Sequence, residues 1–204
     1  MTATDGGTGW AVWIVGLPGS GKSNLARWLH ETLGNRGIPV ELMQMDLCRK
    51  RYTPTPDYSE AERERAYAMF VDEAAALVGQ GRGVLMDGSA YRQSMREYAR
   101  QRIPRFAEIH VQCALHAAIS REARRTQGLV MADLYRKALE RQQTGKEVPG
   151  LGQVIGVDVL FEEDPAAELI IDNTHLPKER TREIALHFLE QWLKRHVPQQ
   201  AGIA

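Results

Sequence analysis

Short apolar runs alternate along the chain with longer stretches whose apolar residues recur at helical spacing. The runs predict five strands, at 11–15, 40–45, 84–86, 107–111 and 169–172. The stretches between them predict helices at 21–33, 59–78, 94–102 and 116–125, and a last helix that ends near residue 195. Strands separated by helices favour a parallel sheet covered on both faces. The pattern therefore predicts a single domain, 1–204, with an α/β fold of three layers around a five-stranded parallel sheet.

Two stretches do not fit this alternation. Pro54 and Pro56 predict a loop over residues 51–58, because proline is excluded from helix interiors and central strands. Residues 121–146 hold seven Lys or Arg against three Asp or Glu, and an irregular piece follows to Pro165. A basic segment after the fourth strand predicts a lid over an anionic ligand, at about 121–165. A solvated helical face is the alternative interpretation.

The first strand is followed by the octapeptide at 16–23, GLPGSGKS, which matches the phosphate-binding pattern G-x-x-x-x-G-K-[ST]. The glycines let backbone N–H groups turn toward a phosphate, and the helix that follows adds the positive end of its dipole. Lys22 is expected to reach the β- and γ-phosphates, and the Ser23 hydroxyl to bind Mg²⁺. The motif predicts a nucleoside triphosphate site.

Two further strands end in aspartates. In an open α/β sheet, ligands bind beyond the carboxyl ends of the strands. Asp46, after the second strand, is therefore a candidate base for an acceptor hydroxyl, and Arg49 a candidate clamp for an anionic group. A helix cap and a solvated arginine are the alternative. Asp87, after the third strand, is a candidate Mg²⁺ ligand, with a plain polar strand end as its alternative.

Composition narrows the function. The 204 residues include 26 Lys or Arg and 26 Asp or Glu, and this zero net charge disfavours a nucleic-acid or membrane-surface partner. Two cysteines are too few for a disulfide framework. The N-terminus lacks the pattern of a secretory signal, and no run is long enough to span a membrane. These features predict a cytoplasmic enzyme.

Several short segments together resemble the adenylylsulfate (APS) kinases, a family of small P-loop kinases. The P-loop resembles the family's GLSGAGKS, residues 46–49 the end of its D-G-D-N-V-R, and residues 58–63 its F-S-E-x-D-R. Residues 89–92 resemble S-P-[FY]-R, residues 108–111 E-[IV]-[FY]-V, and residues 133–138 G-L-Y-K-K-A. Residues 156–165 resemble G-I-D-x-x-Y-E-x-P. The P-loop is widespread, but the order of the later segments is specific.

The resemblance implies a nucleotide-kinase-like P-loop NTPase fold and transfer of phosphate from Mg·ATP to a hydroxyl of APS. Lys22 and Asp46 are then catalytic, and Ser23 and Asp87 hold Mg²⁺. The ATP site would comprise Gly16, Leu17, Pro18, Gly19, Ser20, Gly21, Lys22, Ser23, Asn24 and the lid residues Arg121 and Arg125. The acceptor site would comprise Asp46, Arg49, Arg63, Ser89, Tyr91, Arg92 and Lys137. Kinases of this kind are commonly dimers, so a homodimer is one implied assembly.

The chain departs from the family pattern on the acceptor side. Ala66, Ala68 and Met69 replace polar residues of the long helix, and Ala90 replaces the proline. We therefore expect a small anionic acceptor, first of all APS. A different nucleotide-linked or sugar acceptor is the alternative within the kinases, and an ATP-binding switch or accessory protein is the alternative outside them.

Overall fold

A computed structural model describes residues 9–55, 59–124 and 133–197. The strands are β1 (Trp10–Val15), β2 (Val40–Gln44), β3 (Gly83–Asp87), β4 (Phe106–Gln112) and β5 (Leu169–Asp172). The helices are α1 (Lys22–Asn35), α2 (Met45–Tyr52), α3 (Glu60–Gly79), α4 (Gln93–Arg102), α5 (Leu115–Ala123), α6 (Leu134–Thr144) and α7 (Lys178–His196).

All five strands are parallel, in the order β2-β3-β1-β4-β5, as the alternating pattern predicts. The central strand β1 is buried throughout and pairs with β3 on one side and β4 on the other. Because the strands are parallel, their carboxyl ends share one edge of the sheet. That edge carries the P-loop, Asp46 and Asp87.

The sheet has an apolar core on each face, which makes three layers. One core includes Trp13 of β1 and Phe70 of α3, whose ring centroids lie 5.8 Å apart. The opposite core includes Leu29 of α1 and Leu189 of α7, both fully buried. Alternate residues of β1 supply both cores, so this strand must be apolar along its whole length.

A third, smaller core lies in the region predicted as a lid. Its buried members are Cys113, Ala118, Leu134, Tyr135, Ala138, Leu151 and Val154. These residues join α5, α6 and the segment that follows α6 into one packed unit. Residues 125–132, which connect α5 to α6, lie outside the described residues.

Most boundaries agree with the sequence pattern to within two residues, and the differences have local causes. Ser59 is the N-cap of α3, as the capping box predicts, and its Oγ accepts from the Glu62 N–H at 3.2 Å. The pattern missed α2, which occupies 45–52, so β2 ends at 44 and the predicted loop begins at 53 and not at 51. Helix α6 was not among the predicted helices.

The described helices include none that is both long enough and apolar enough to cross a membrane.

Candidate active site

The P-loop joins β1 to α1 through a turn that only glycine fits at two points. Gly16 and Gly19 have φ of +144° and +81°. A Cβ on Gly16 would lie 2.4 Å from the Val111 carbonyl oxygen, and one on Gly19 would lie 2.4 Å from that of Ala118. Both positions therefore combine a backbone conformation that disfavours side chains with a lack of space. The motif's glycines are required by the shape of the loop itself.

Side chains from distant elements hold the P-loop in place. The Asn173 Nδ2, after β5, donates to the Ser20 carbonyl oxygen at 2.8 Å. The Tyr135 hydroxyl, on α6, donates to the Pro18 carbonyl oxygen at 2.8 Å. Lys22 Nζ donates to the Leu17 carbonyl oxygen at 3.3 Å. The loop is therefore anchored from two sides, which orients its N–H groups before a phosphate binds.

Ser23 and Asp87 meet beside the P-loop. The Ser23 hydroxyl donates to Asp87 Oδ1 at 3.0 Å, and Gln44 Nε2 donates to Asp87 Oδ2 at 3.1 Å. Burial raises the pKa of Asp87, while nearby Lys22 and the hydrogen bonds from Gln44 and Ser23 lower it. A hydroxyl and a carboxylate in contact are oxygen ligands of the kind that Mg²⁺ prefers. These two residues therefore fit the predicted metal role.

A cavity at the carboxyl ends of β1, β2 and β3 brings the catalytic candidates together. Asp46 lies in the first turn of α2, where the helix dipole stabilises its negative charge. The cavity is lined by Pro18, Lys22, Ser23, Met45, Asp46, Arg49, Arg63, Tyr67, Asp87, Gly88, Ser89, Tyr91, Glu122, Leu134, Leu151, Gln153, Val154 and Ile155. Phosphate-binding groups and a candidate base thus share one space.

The two arginines in this cavity differ in their partners. Arg49 Nη1 pairs with Glu62 Oε1 at 2.5 Å, and the Glu62 side chain is only 4% exposed. Arg63 is 7% exposed and donates through Nη2 to the Gln153 carbonyl oxygen. The Arg63 Nη1 has no hydrogen-bond partner among the described residues. Arg63 therefore offers the cavity a buried charged donor, whereas Glu62 offsets the charge of Arg49.

A second cavity lies on the other side of the P-loop. Its lining includes Ser20, Gly21, Asn24, Arg121 and Arg182. Arg121 donates to the Asn173 side chain and to the carbonyl oxygens of residues 173 and 174, at 2.7 to 3.1 Å. Two residues predicted to hold ATP, Asn24 and Arg121, thus lie together at the N-terminal end of α1. Arg125 lies outside the described residues.

Other predicted acceptor residues lie away from the first cavity. Arg92 is not among its lining residues, because its guanidinium group pairs with Glu60 and Glu64 on α3. Lys137 is half-exposed on α6 and does not line the cavity either.

The substituted face of α3 also lies outside this cavity. Ala66 is fully buried in the core, Met69 is exposed, and Ala68 is absent from the lining. These three residues therefore do not form part of the cavity wall.

Sequence reasoning missed part of the cavity wall and its supports. Glu122 accepts from the Leu134 N–H at 3.2 Å and so caps α6 across the undescribed segment. Gln153, Val154 and Ile155 reach the cavity from an irregular segment whose path no periodicity reveals. Asn173 could have been found, since it follows β5 at the same edge of the sheet as the two aspartates.

Comparisons with known proteins agree with the geometry. The sequence model of the adenylylsulphate kinase family matches residues 8–172. A probable adenylyl-sulfate kinase of Archaeoglobus fulgidus is 31% identical over 161 residues, covering 79% of this chain and 94% of that protein. A cytidine diphosphoramidate kinase of Campylobacter jejuni is 25% identical over 168 residues, covering 80% of this chain and 85% of that protein.

The fold of the chain matches solved structures as well. The structure of the Mycobacterium tuberculosis APS kinase CysC, in complex with AMPPNP and APS, superposes with a TM-score of 0.73. The identity is 22%, and the match covers 89% of this chain and 98% of that one. This likeness confirms the predicted α/β P-loop kinase fold. Because the family model also spans most of the chain, the protein belongs to the adenylylsulphate kinase family.

Proposed function

We propose that this protein transfers the γ-phosphate of ATP to a hydroxyl group of APS. The observation that carries the proposal is the first cavity, where Lys22, Asp46 and Arg63 line one space. A phosphate-binding lysine, a candidate base and a buried arginine are the three groups needed to join ATP to an anionic alcohol. The relatives of the same family support APS as that alcohol.

The ATP half of the site rests on the P-loop. Its N–H groups and Lys22 would hold the phosphates, and the second cavity, between Asn24 and Arg121, would take the nucleoside. Ser23 and Asp87 would hold Mg²⁺, which when bound neutralises charge on the phosphate oxygens. The hydrogen bonds from Asn173 and Tyr135 keep the loop preorganised, so ATP binding would need less free energy to order the loop.

The acceptor half rests on Asp46 and Arg63. Asp46 would take the proton from the acceptor hydroxyl as the oxygen attacks the γ-phosphate. Arg63 Nη1, which is buried without a partner among the described residues, would donate to an anionic group of the acceptor. Burial makes this donor selective, because a neutral acceptor would supply no negative charge to pair with the buried guanidinium group.

A second candidate is a kinase for another nucleotide-linked anion. The Arg49–Glu62 pair favours it, since Glu62 offsets one of the two positive charges on the acceptor side. A less basic pocket suits an acceptor with fewer negative charges than APS. One relative, 25% identical to this chain, is named for another nucleotide-linked acceptor: the cytidine diphosphoramidate kinase of Campylobacter jejuni.

The role of Arg63 separates an anionic acceptor from a neutral one. We expect Arg63→Met to raise KM for APS by about 10- to 100-fold, which corresponds to the loss of one charged hydrogen bond. KM for ATP should change little. The matched control is Arg65→Met, because Arg65 is exposed two positions along the same helix. The measurement is steady-state kinetics with each substrate varied in turn.

Three outcomes of this experiment would change the proposal. An unchanged KM for APS in a folded Arg63→Met variant would remove Arg63 from the acceptor site. Equal effects of both substitutions would point to the general charge of α3 instead. If the unsubstituted chain prefers a cytidine-linked acceptor to APS, the second candidate function replaces the first.

A further inference from the structure

The turn after β3 contains a residue in an unusual backbone conformation. Ala90 has a φ of +44°, in the left-handed region that residues with a Cβ rarely adopt. The family pattern has proline at this position, and proline fixes φ near −65°. The turn of this chain therefore cannot have the backbone path that a proline would impose, and something must hold Ala90 in its costly conformation.

Two buried side chains form hydrogen bonds with the backbone N–H and the backbone carbonyl oxygen of Ala90. The Ala90 N–H donates to the Tyr67 hydroxyl oxygen of α3 at 3.1 Å. The Ala90 carbonyl oxygen accepts from Arg96 Nη1 of α4 at 2.5 Å. Arg96 is completely buried. A proline at position 90 would lose the first contact as well, because it has no N–H.

Arg96 also binds a second segment, residues 161–162. Its Nη2 donates to the Glu162 carbonyl oxygen at 2.5 Å, and its guanidinium carbon lies 5.2 Å from the centre of the Phe161 ring. The Glu162 N–H donates to the Tyr91 carbonyl oxygen at 2.8 Å, and its carboxylate accepts from the Gln93 N–H at 2.7 Å. One arginine thus joins the Ala90 turn to the segment that passes beside it.

The residues on both sides of Ala90, Ser89 and Tyr91, line the cavity, whereas Arg96 does not. We propose that Arg96 is a positioning residue for the acceptor. It holds the Ala90 turn against residues 161–162 and so fixes where Ser89 and Tyr91 meet the acceptor. The inference rests on the proposed function, because it assumes that the cavity takes the acceptor. It assigns no direct contact between Arg96 and either substrate.

Glu108, the buried ion-pair partner of Arg96, allows the ion pair to be removed separately from the hydrogen bonds of Arg96. Arg96 Nε lies 3.2 Å from Glu108 Oε1, and both side chains are fully buried. Glu108→Gln removes the ion pair but leaves both carbonyl contacts of Arg96. The double variant Arg96→Met/Glu108→Gln removes the contacts as well and leaves no unpaired carboxylate at position 108.

The kinetic experiment compares these two variants with the unsubstituted chain. We expect the double variant to raise KM for APS by about tenfold or more, which corresponds to the loss of about one hydrogen bond between the acceptor and the displaced turn. KM for ATP should stay the same in both variants, and Glu108→Gln alone should keep KM for APS near its original value. An unchanged KM for APS in the double variant, or an equal rise for both substrates, would overturn the inference.

A measurement without acceptor keeps the inference separate from the proposed function. In hydrogen exchange of the free protein, the peptide over residues 88–92 should exchange about tenfold faster in the double variant, while the P-loop peptide stays unchanged. If the unsubstituted chain does not phosphorylate APS, the proposed function fails, but this exchange result still decides whether Arg96 holds the turn. Equal exchange in both proteins would overturn it.

Two substitutions at position 90 give an independent test. Ala90→Gly keeps both backbone contacts and relieves the strain, so KM for APS should stay close to that of the unsubstituted chain. Ala90→Pro, although it restores the family residue, should raise KM for APS and speed exchange over residues 88–92. A proline variant that matches the glycine variant in KM and exchange would contradict the inference.

Discussion

Lys22 is the proposed phosphate-binding residue, and it lies at the cavity and not in the apolar core. It lines the cavity and donates to the Leu17 carbonyl within the P-loop. Lys22→Ala should leave the melting temperature close to that of the unsubstituted chain but lower kcat by about 10²–10³-fold, as for other lost transition-state contacts. Lys50→Ala, at an exposed lysine of α2, is the matched control. Normal turnover in a folded Lys22→Ala variant would contradict the assignment of the phosphate site.

Asp46→Asn keeps the shape of the side chain but removes the carboxylate that would act as the base. General bases contribute about 10²–10⁴-fold to the rate, and we expect a loss of that size in phosphoryl transfer. ATP affinity should stay unchanged, because the proposed Mg²⁺ ligands are Ser23 and Asp87 and not Asp46. Single-turnover rates and a separate ATP-binding titration measure the two quantities. Weakened ATP binding with an unchanged transfer rate would exchange the roles of Asp46 and Asp87.

Residues at strand ends could be predicted from the sequence, and their partners could not. Asp46 and Asp87 follow from the rule that ligands bind at the carboxyl ends of strands. The contact between Arg63 and Gln153 joins residues 90 positions apart, across an irregular segment. The Arg92–Glu60 pair likewise depends on how α3 meets the turn before α4. Side-chain direction depends on such packing, which spacing along the chain does not reveal.

At the scale of elements, the start of α3 is set by a single hydroxyl. Ser59→Ala removes the acceptor for the Glu62 N–H and should lower the free energy of unfolding by about 1 kcal/mol. The matched control is Ser94→Ala, at an exposed serine inside α4 that caps no helix. Chemical denaturation of both variants checks the difference. Equal stability of Ser59→Ala and the unsubstituted chain would remove the cap from the helix's stabilising interactions.

Helices α2 and α3 show why some elements can be predicted and others not. Helix α3 has a capping box, twenty residues and a repeating apolar face. Helix α2 has eight residues, and its N-cap Gln44 makes no side-chain hydrogen bond to the backbone. Its two buried residues, Met45 and Cys48, are too few to establish a period. A short helix that continues directly from a strand leaves little signal in the sequence.

At the scale of the whole molecule, a charge cluster around buried Glu108 connects α4 to β4 and to the segment just before β5. The pKa of Glu108 is raised to about 7: burial raises it most, Asp164 and Glu168 add to the rise, and Arg96 and Arg100 oppose it. The folded protein therefore binds this proton more tightly than the unfolded chain. The contribution of Glu108 to stability is full below its ordinary pKa of 4.5 and falls as pH rises to about 7.

Because the pKa of Glu108 is raised on folding, the stability of the protein should depend on pH. Glu108→Gln should remove a fall in the free energy of unfolding of on the order of 3 kcal/mol between about pH 4.5 and 7. The measurement is urea unfolding of both proteins across that range. Glu97→Gln, at an exposed position of α4, serves as the control. Parallel stability curves for Glu108→Gln and the unsubstituted chain would show that Glu108 does not titrate in this range.

The overall topology followed from the sequence because every strand is succeeded by a recognisable helix or motif. The alternation requires a parallel sheet, and the P-loop requires a strand before it and a helix after it. The region at 121–165 shows a charge surplus and two short family-like segments, but no pattern that predicts how it packs. Its small core depends on contacts of Leu134, Leu151 and Val154 with residues near β4 and α5. Such contacts between segments far apart in sequence leave no local pattern.

Product formation from Mg·ATP and a panel of acceptors tests the proposed activity most directly. The panel should contain APS, cytidine-linked and other nucleotide-linked anions, and neutral sugars, with ADP release and the mass of each product recorded. We predict that APS gains one phosphate group with a higher kcat/KM than any other acceptor, and that Asp46→Asn suppresses this product. Efficient phosphorylation of a neutral sugar with none of APS, or binding of ATP with no turnover of any acceptor, would contradict the proposal.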